Sequence, residues 1–350
     1  MKKIAILVFF TVGFFVHVWA CTGLIAGKQA TVDGSVLVTY SADSHTLYGA
    51  LTSSPAADWP KGSMRSIVEW DTNKPLGEIE QVEHTYAVMG NMNEHQLTVV
   101  ESTWGGRPEL VDTTGIIDYG SLMQLALERA KTAREAIKVM TGLVKKYGYY
   151  SSGESFTIAD PNEAWILDLI GKGPGRRGAV WVAVRIPDDC IAGHANYPRI
   201  HKIPMDDKEN CLYSPDVISF AREMGYFDGL NKDFSFARAY SPADFGALRA
   251  CDARVWSFFR KYDSTMDNYL PYVNGESAEP FPLYVKPSRK LSVQDMKEAM
   301  RDHFEDTPFD MTQDVGAGPF KVPYRFRPMS FEVDGKSYCM ERAIATQQTG

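Results

Sequence analysis

Cysteine is scarce in this sequence, with five residues in 350. Cys190, Cys211, Cys251 and Cys339 stand too far apart for the paired ligand spacings of a structural zinc site. Basic charge is not in excess: 37 Lys and Arg face 44 Asp and Glu, for a formal charge of −7. A nucleic-acid binder usually presents a basic face, so this balance argues against nucleic acid as a partner. Beyond the amino terminus no run reaches the ~20 apolar residues of a membrane helix, so no span is expected in the mature chain. Walker A, HExxH and GxSxG motifs are missing. Gly171-Lys172-Gly173-Pro174-Gly175-Arg176 begins like a dinucleotide fingerprint but falls between two strand patterns, so it reads as a hairpin loop. Asp310 and Asp314 lack the ligand spacing of an EF-hand. The seven histidines are scattered; His194, close to Asn196, reads more readily as a satisfied core residue than as a catalyst. Neither internal repeats nor low-complexity linkers are found. With 44% hydrophobic and 23% charged residues, the chain has an ordinary globular composition, long enough to bury a substantial core.

The one long apolar run comes first. Lys2 and Lys3 precede Ile4 to Val16, and Val18-Trp19-Ala20 leads into Cys21. A basic start, a short apolar stretch and modest side chains before a cut describe a secretory signal peptide over residues 1–20. The predicted location is therefore exported, periplasmic or extracellular. Cleavage after Ala20 makes Cys21 the first residue of the mature protein. Cysteine fills 5 of 350 positions, so chance puts one there only about once in seventy.

Three readings of Cys21 compete. It could enter a disulfide. It could be a lipid-anchored lipoprotein cysteine on a non-catalytic binding protein, although bulky Trp19 makes a poor lipobox. Or it could be an N-terminal nucleophile. The third has direct chemical logic: a free α-amino group has a pKa of ~7.7–8.0, so it can serve as base for its own thiol and as acid for the leaving amine. Proteolysis would then export and activate the enzyme in one event, with no metal or organic cofactor. The other four cysteines, in an oxidising compartment, could form two disulfides or remain buried thiols.

Along the chain, Thr22–Ala26 and Ser35–Tyr40 predict a hairpin turned at Asp33-Gly34. It puts Cys21 beside the end of the partner strand, where Asp43 follows. Residues 51–75 read as loop, with Pro55, Pro60, Gly62 and Pro75. Strands are expected at 86–89, 97–103, 155–159, 164–169 and 179–184. Leu122, Leu125, Ala126, Ile137, Met140 and Val144 predict two helices over 121–147, the second starting at a capping box, Thr132 to Glu135. Helical pattern returns at 215–224, 248–261 and from Ser292 to about His303, and strand pattern at 324–327, 329–333 and 338–345. Antiparallel strands with helices in blocks predict an α+β fold. The polar turn before Gly350, with no closing element, suggests a chain truncated at its carboxyl end.

Cys21-Thr22-Gly23-Leu24-Ile25-Ala26-Gly27-Lys28, Asp33-Gly34-Ser35 and Ala42-Asp43-Ser44 resemble the start of the C69 dipeptidases. These are Ntn hydrolases related to penicillin V acylase and bile salt hydrolase. The resemblance continues at Glu101-Ser102-Thr103, Gly153-Glu154-Ser155-Phe156, Ala195-Asn196, Arg254-Val255-Trp256 and Asp306-Thr307-Pro308-Phe309-Asp310. It implies a four-layer αββα sandwich over 21–350, with two antiparallel sheets between helical layers. It implies a small peptide substrate, cleaved by Cys21 with its own α-amine as base; an acylase for non-peptide amides is the alternative. Carried across, Asp43 holds the amine, Asn196 contributes to the oxyanion hole and Arg254 is an active-site arginine. Arg254 read by itself is as readily a surface ion pair. Thr103 aligns near a second oxyanion contributor or substrate contact. One departure stands out: many relatives have Arg three residues before the Asp, where this chain has Tyr40. A phenol offers one hydroxyl and a ring face instead of a five-donor cation, so thiol activation or substrate binding through Tyr40 is arranged differently. A homo-oligomer stays open.

Overall fold

A computed structural model of the chain describes residues 21–42, 49–314, 316–323 and 330–339. The expected signal peptide over 1–20, Asp43 and the strand expected at 324–327 lie outside the described residues, as does everything after 339.

β1 (Thr22–Ala26) and β2 (Leu37–Ser41) form the expected hairpin, with Thr22 opposite Ser41 and Ala26 opposite Leu37. The turn between them suits its residues. Asp33 accepts from the backbone and hydroxyl of Ser35, and Gly34 takes a left-handed φ of 79°. β1 is buried along its whole length because it is an interior strand. The small sheet runs Tyr284–Val285, Ile191–His194, β1, β2. The large sheet has eight strands, and its centre is the antiparallel run Thr98–Gly105, Gly153–Ala159, Ala164–Gly171 and Ala179–Ile186.

Side-chain alternation sorts these strands into packed layers. α1 (Tyr119–Arg129) and α2 (Ala133–Tyr147) turn Leu122, Ala126, Ile137 and Met140 toward Val99, Phe156 and Leu167 of the large sheet. From the other face of that sheet, Ile166 and Val182 meet Ile25 and Ala192 of the small sheet. Leu24 and Ile191 point away from that interface, against Val255 and Trp256 of the helix Ala253–Arg260 and Met296 of the helix Val293–Met300. Antiparallel sheets with helices in blocks are the α+β class read from the sequence.

Several local expectations change. Residues 51–75 are not all loop: Met64–Val68 pairs with Pro75–Glu80, a hairpin that Pro75 and the mostly exposed side chains conceal. Thr132 caps α2 by accepting from Glu135 N, yet Glu135 reaches back to Lys131 N, so the reciprocal half of the box is displaced by one residue. Ser292 makes the complete box with Asp295, but the helix stops at Met300, and Phe304 takes a left-handed φ of 61°. Asp334 and Gly335, both at positive φ, turn the hairpin Ser330–Val333/Lys336–Cys339. Cys190 and Cys211 are buried thiols in no disulfide, which excludes two bridges among the four cysteines. Burial pushes both up to about 12.

Candidate active site

Cys21 is 3% exposed at the head of β1. Two neighbours surround it because β1 is paired on both edges: Tyr40 of β2 lies opposite Gly23, and His194 lies opposite the same glycine from the other side. Only glycine fits there, since a Cβ at position 23 would stand 2.8 Å from His194 Nε2. Two residues past His194 the chain turns at Asn196, whose φ of 55° is a left-handed conformation that asparagine tolerates better than most residues. That turn brings its amide to Cys21. The backbone nitrogen of Cys21 donates to Asn196 Oδ1 at 2.7 Å, and Asn196 Nδ2 donates to the carbonyl of Thr103 at 2.5 Å.

Arg254 closes the arrangement from the helix below. It is wholly buried, and all of its nitrogens are engaged. Nε donates to Ala250 O, Nη1 to Cys21 O and Thr22 Oγ1, and Nη2 to Ala195 O and Asn196 Oδ1. The surface ion-pair reading of this residue is therefore wrong: its partners are carbonyl, hydroxyl and amide oxygens in the interior. Asn196 Oδ1 thus accepts from both Cys21 N and Arg254.

Tyr40 reaches the same region. Its hydroxyl donates to Glu101 Oε1 at 2.5 Å, and burial followed by the adjacent Glu101 holds the phenol well above its usual range, so it stays protonated. Glu101 is 2% exposed. Burial raises its carboxyl, while hydrogen bonds from Tyr40, Glu154 and the Cys21 side chain pull it back down. Glu154 is also wholly buried and is pushed well above the carboxylate range, first by burial and then by the charge of Glu101. Thr103 links the two halves: its carbonyl receives Asn196, and its hydroxyl donates to Glu154 Oε1 at 2.6 Å.

Of the residues singled out from sequence, Cys21, Tyr40, Thr103, Asn196 and Arg254 come together. Asp43 lies outside the described residues, two positions beyond Ser41, which pairs with Thr22. His194 is not part of the reactive surface. It is wholly buried between Ser102 Oγ (2.6 Å) and Thr157 Oγ1 (2.8 Å), and burial lowers it to about 3, leaving a neutral ring that pins the two sheets together. Glu101, Glu154 and Asp71 carry no role in the sequence reading. The first two sit inside motifs noted for their resemblance, but spacing alone gives no hint that they meet. They do because Thr103 pairs with Glu154 across two strands, which puts Glu101 diagonally on the same face.

Fold and site together define a mixed α/β protein with antiparallel sheets, whose candidate chemistry centres on one strand-leading cysteine. The chain belongs to peptidase family C69, whose model matches residues 20–347. It is 28% identical over 318 residues to a probable dipeptidase of Salmonella dublin, covering 83% of this chain and 68% of that protein. It is 25% identical over 314 residues to a probable dipeptidase of Latilactobacillus sakei (83% and 62%), and 25% identical over 327 residues to dipeptidase A of Lactobacillus helveticus (87% and 66%). The chain thus spans about two thirds of the length of these curated relatives.

Proposed function

We propose that this protein is an exported N-terminal-nucleophile cysteine hydrolase that cleaves dipeptides, with the helix–sheet–sheet–helix packing of an Ntn-type αββα sandwich. Membership of the family and the names of its relatives support the dipeptide reading. The observation that carries the mechanism is the grip on Cys21 N: Asn196 Oδ1 accepts from it at 2.7 Å, and Arg254 holds the same oxygen at 2.8 Å.

Once residues 1–20 are removed, that nitrogen is an amine. Asn196 orients its lone pair and hydrogens, and the Arg254 guanidinium nearby disfavours a second positive charge, which keeps the amine neutral and basic. The amine takes the thiol proton as Sγ attacks the scissile carbonyl. It returns the proton to the leaving amine as the tetrahedral intermediate collapses to a thioester. Water, deprotonated by the same amine, then releases the acid. An amide nitrogen carries two hydrogens, so Asn196 can hold Thr103 O with one and offer the other to the oxyanion, where a lost donor costs ~10²–10³ in rate. Asp43 is proposed to hold the amine from the other side. The scheme uses no metal or organic cofactor.

Amino-terminal sequencing of the exported protein should begin at Cys21, and mass spectrometry should find no diacylglyceryl group there. Cys21→Ala should abolish dipeptide hydrolysis. A mature chain starting elsewhere, or wild-type turnover in Cys21→Ala, defeats the mechanism. Preference for acylated amines over dipeptides would redirect it to an acylase.

A further inference from the structure

Beside the Cys21 network lies a cleft of about 260 Å³, lined in part by Glu69, Asp71, Thr103, Tyr119, Tyr150 and Glu154. We propose that this cleft is the subsite for the free α-ammonium group of the substrate, with Asp71 and Glu154 as the residues that recognise it. The inference rests on the dipeptidase reading and says which end of the dipeptide enters here.

Three of the lining residues are carboxylic acids, and none of the described residues that line the cleft is Lys, Arg or His. Lys74, outside the lining, donates to the hydroxyl of the lining residue Tyr150 at 3.1 Å. Arg254 cannot serve, because its nitrogens are already engaged by interior oxygens. A concave site carrying this much acid and no base matches a cationic ligand.

A second observation points the same way. Glu154 is wholly buried and lines the cleft; Oε1 accepts from the Thr103 hydroxyl, and its carboxyl is hydrogen-bonded to that of Glu101. The touching carboxyls of Glu101 and Glu154 share a proton and retain one negative charge, and no basic residue lines the cleft to balance it. A buried charge without a counter-ion is unfavourable, and two adjacent carboxyls cannot both ionise cheaply. Asp71 spends one oxygen on the Tyr119 hydroxyl at 2.9 Å. An ammonium brings three donors and the missing positive charge. Burial already raises Asp71, Glu101 and Glu154, the condition that an incoming cation reverses.

A chain of hydrogen bonds links the cleft to the nucleophile. Cys21 N reaches Asn196, Asn196 reaches Thr103 O, and the hydroxyl of that same Thr103 reaches Glu154. Thr103 is thus shared by the nucleophile's network and the lining of the acidic cleft. The volume is just below the ~300 Å³ at which drug-sized pockets begin, which favours a small amino-terminal residue. An N-acylated amide brings no charge to this cleft and is disfavoured.

Titration calorimetry on the Cys21→Ala protein, which cannot turn the ligand over, tests the subsite with L-alanyl-L-alanine and its N-acetyl derivative. The free dipeptide should bind at least tenfold more tightly. Asp71→Asn, and separately Glu154→Gln, added to that background should each cut the preference at least fivefold while circular dichroism stays unchanged; Asp71, partly exposed, is the variant more tolerant of change. Equal affinity for the two peptides, binding of neither, or an intact preference in both variants overturns the proposal. Parallel hydrolysis assays on the Cys21 protein separate the two ideas. Discrimination in binding without hydrolysis keeps the subsite and refutes the dipeptidase; equal hydrolysis of both peptides keeps the hydrolase and refutes the subsite.

Discussion

Asn196 joins three groups through one short side chain, and its φ of 55° is what aims it. A β-branched or bulky residue there would strain the backbone as well as lose the bonds. Arg254 supports it with a charge that never meets solvent, so its role is fixed by position, with no fork left over for a substrate carboxylate. His194 is the satisfied core residue that its sequence context favours. Its ring is satisfied on both nitrogens and, when folded, binds a proton only near pH 3. The unfolded chain binds that proton near ~6.5, so acid favours unfolding as pH falls through this window. His194 therefore contributes stability that is fully present above about 6.5 and is lost on acidification at up to ~1.4 kcal/mol per pH unit. Denaturant titrations from pH 7.5 to 4 should show wild type and His194→Gln converging as pH drops; a constant gap would contradict the neutral, buried ring.

At the scale of elements, the decisive piece is the four-residue strand Ile191–His194. It pairs with β1 from Gly23 to Ala26 and delivers Asn196 to Cys21. Its sequence, Ile-Ala-Gly-His, has too little length and alternation to announce a strand, because every one of its side chains is buried between layers. The close approach at Gly23 is its structural requirement. Gly23→Ala puts a methyl against the His194 ring and should cost ~1–3 kcal/mol, the range of overpacked cores. Thermal unfolding would record the loss, and per-molecule activity should fall too because the pairing locates Cys21. Unchanged stability and activity would mean that β1 tolerates a shift away from Ile191–His194.

Across the whole molecule, the two sheets share one buried layer, in which Ile166 and Val182 meet Ile25 and Ala192. The sheet bearing Cys21 and Tyr40 and the sheet bearing Glu101, Thr103 and Glu154 are held in register by that layer and by His194. Ile166→Ala should therefore cost ~2–5 kcal/mol, as deletions in well-packed cores do. Unfolding should remain a single transition, since neither sheet can keep its inner face dry without the other. Calorimetry showing two separate transitions would indicate that the sheets stand independently.

Periodicity and local chemistry were enough to read the β1–β2 hairpin, the central strands, both helices of 121–147 and the capped helix at Ser292, because each follows from patterns within a few residues. Cys21 stood out as a candidate for the same reason, through its place after an apolar run. The hairpin at 64–80 escaped, as its outward face carries polar residues and a proline. The meeting of Glu101, Glu154 and Tyr40 could not be read, nor could the burial of Arg254 or the neutrality of His194. Those depend on diagonal register between strands and on desolvation, which arise only when segments 60 to 230 residues apart close on one another. Residue types name the reagents; packing alone decides which of them lose water and which oxygens meet.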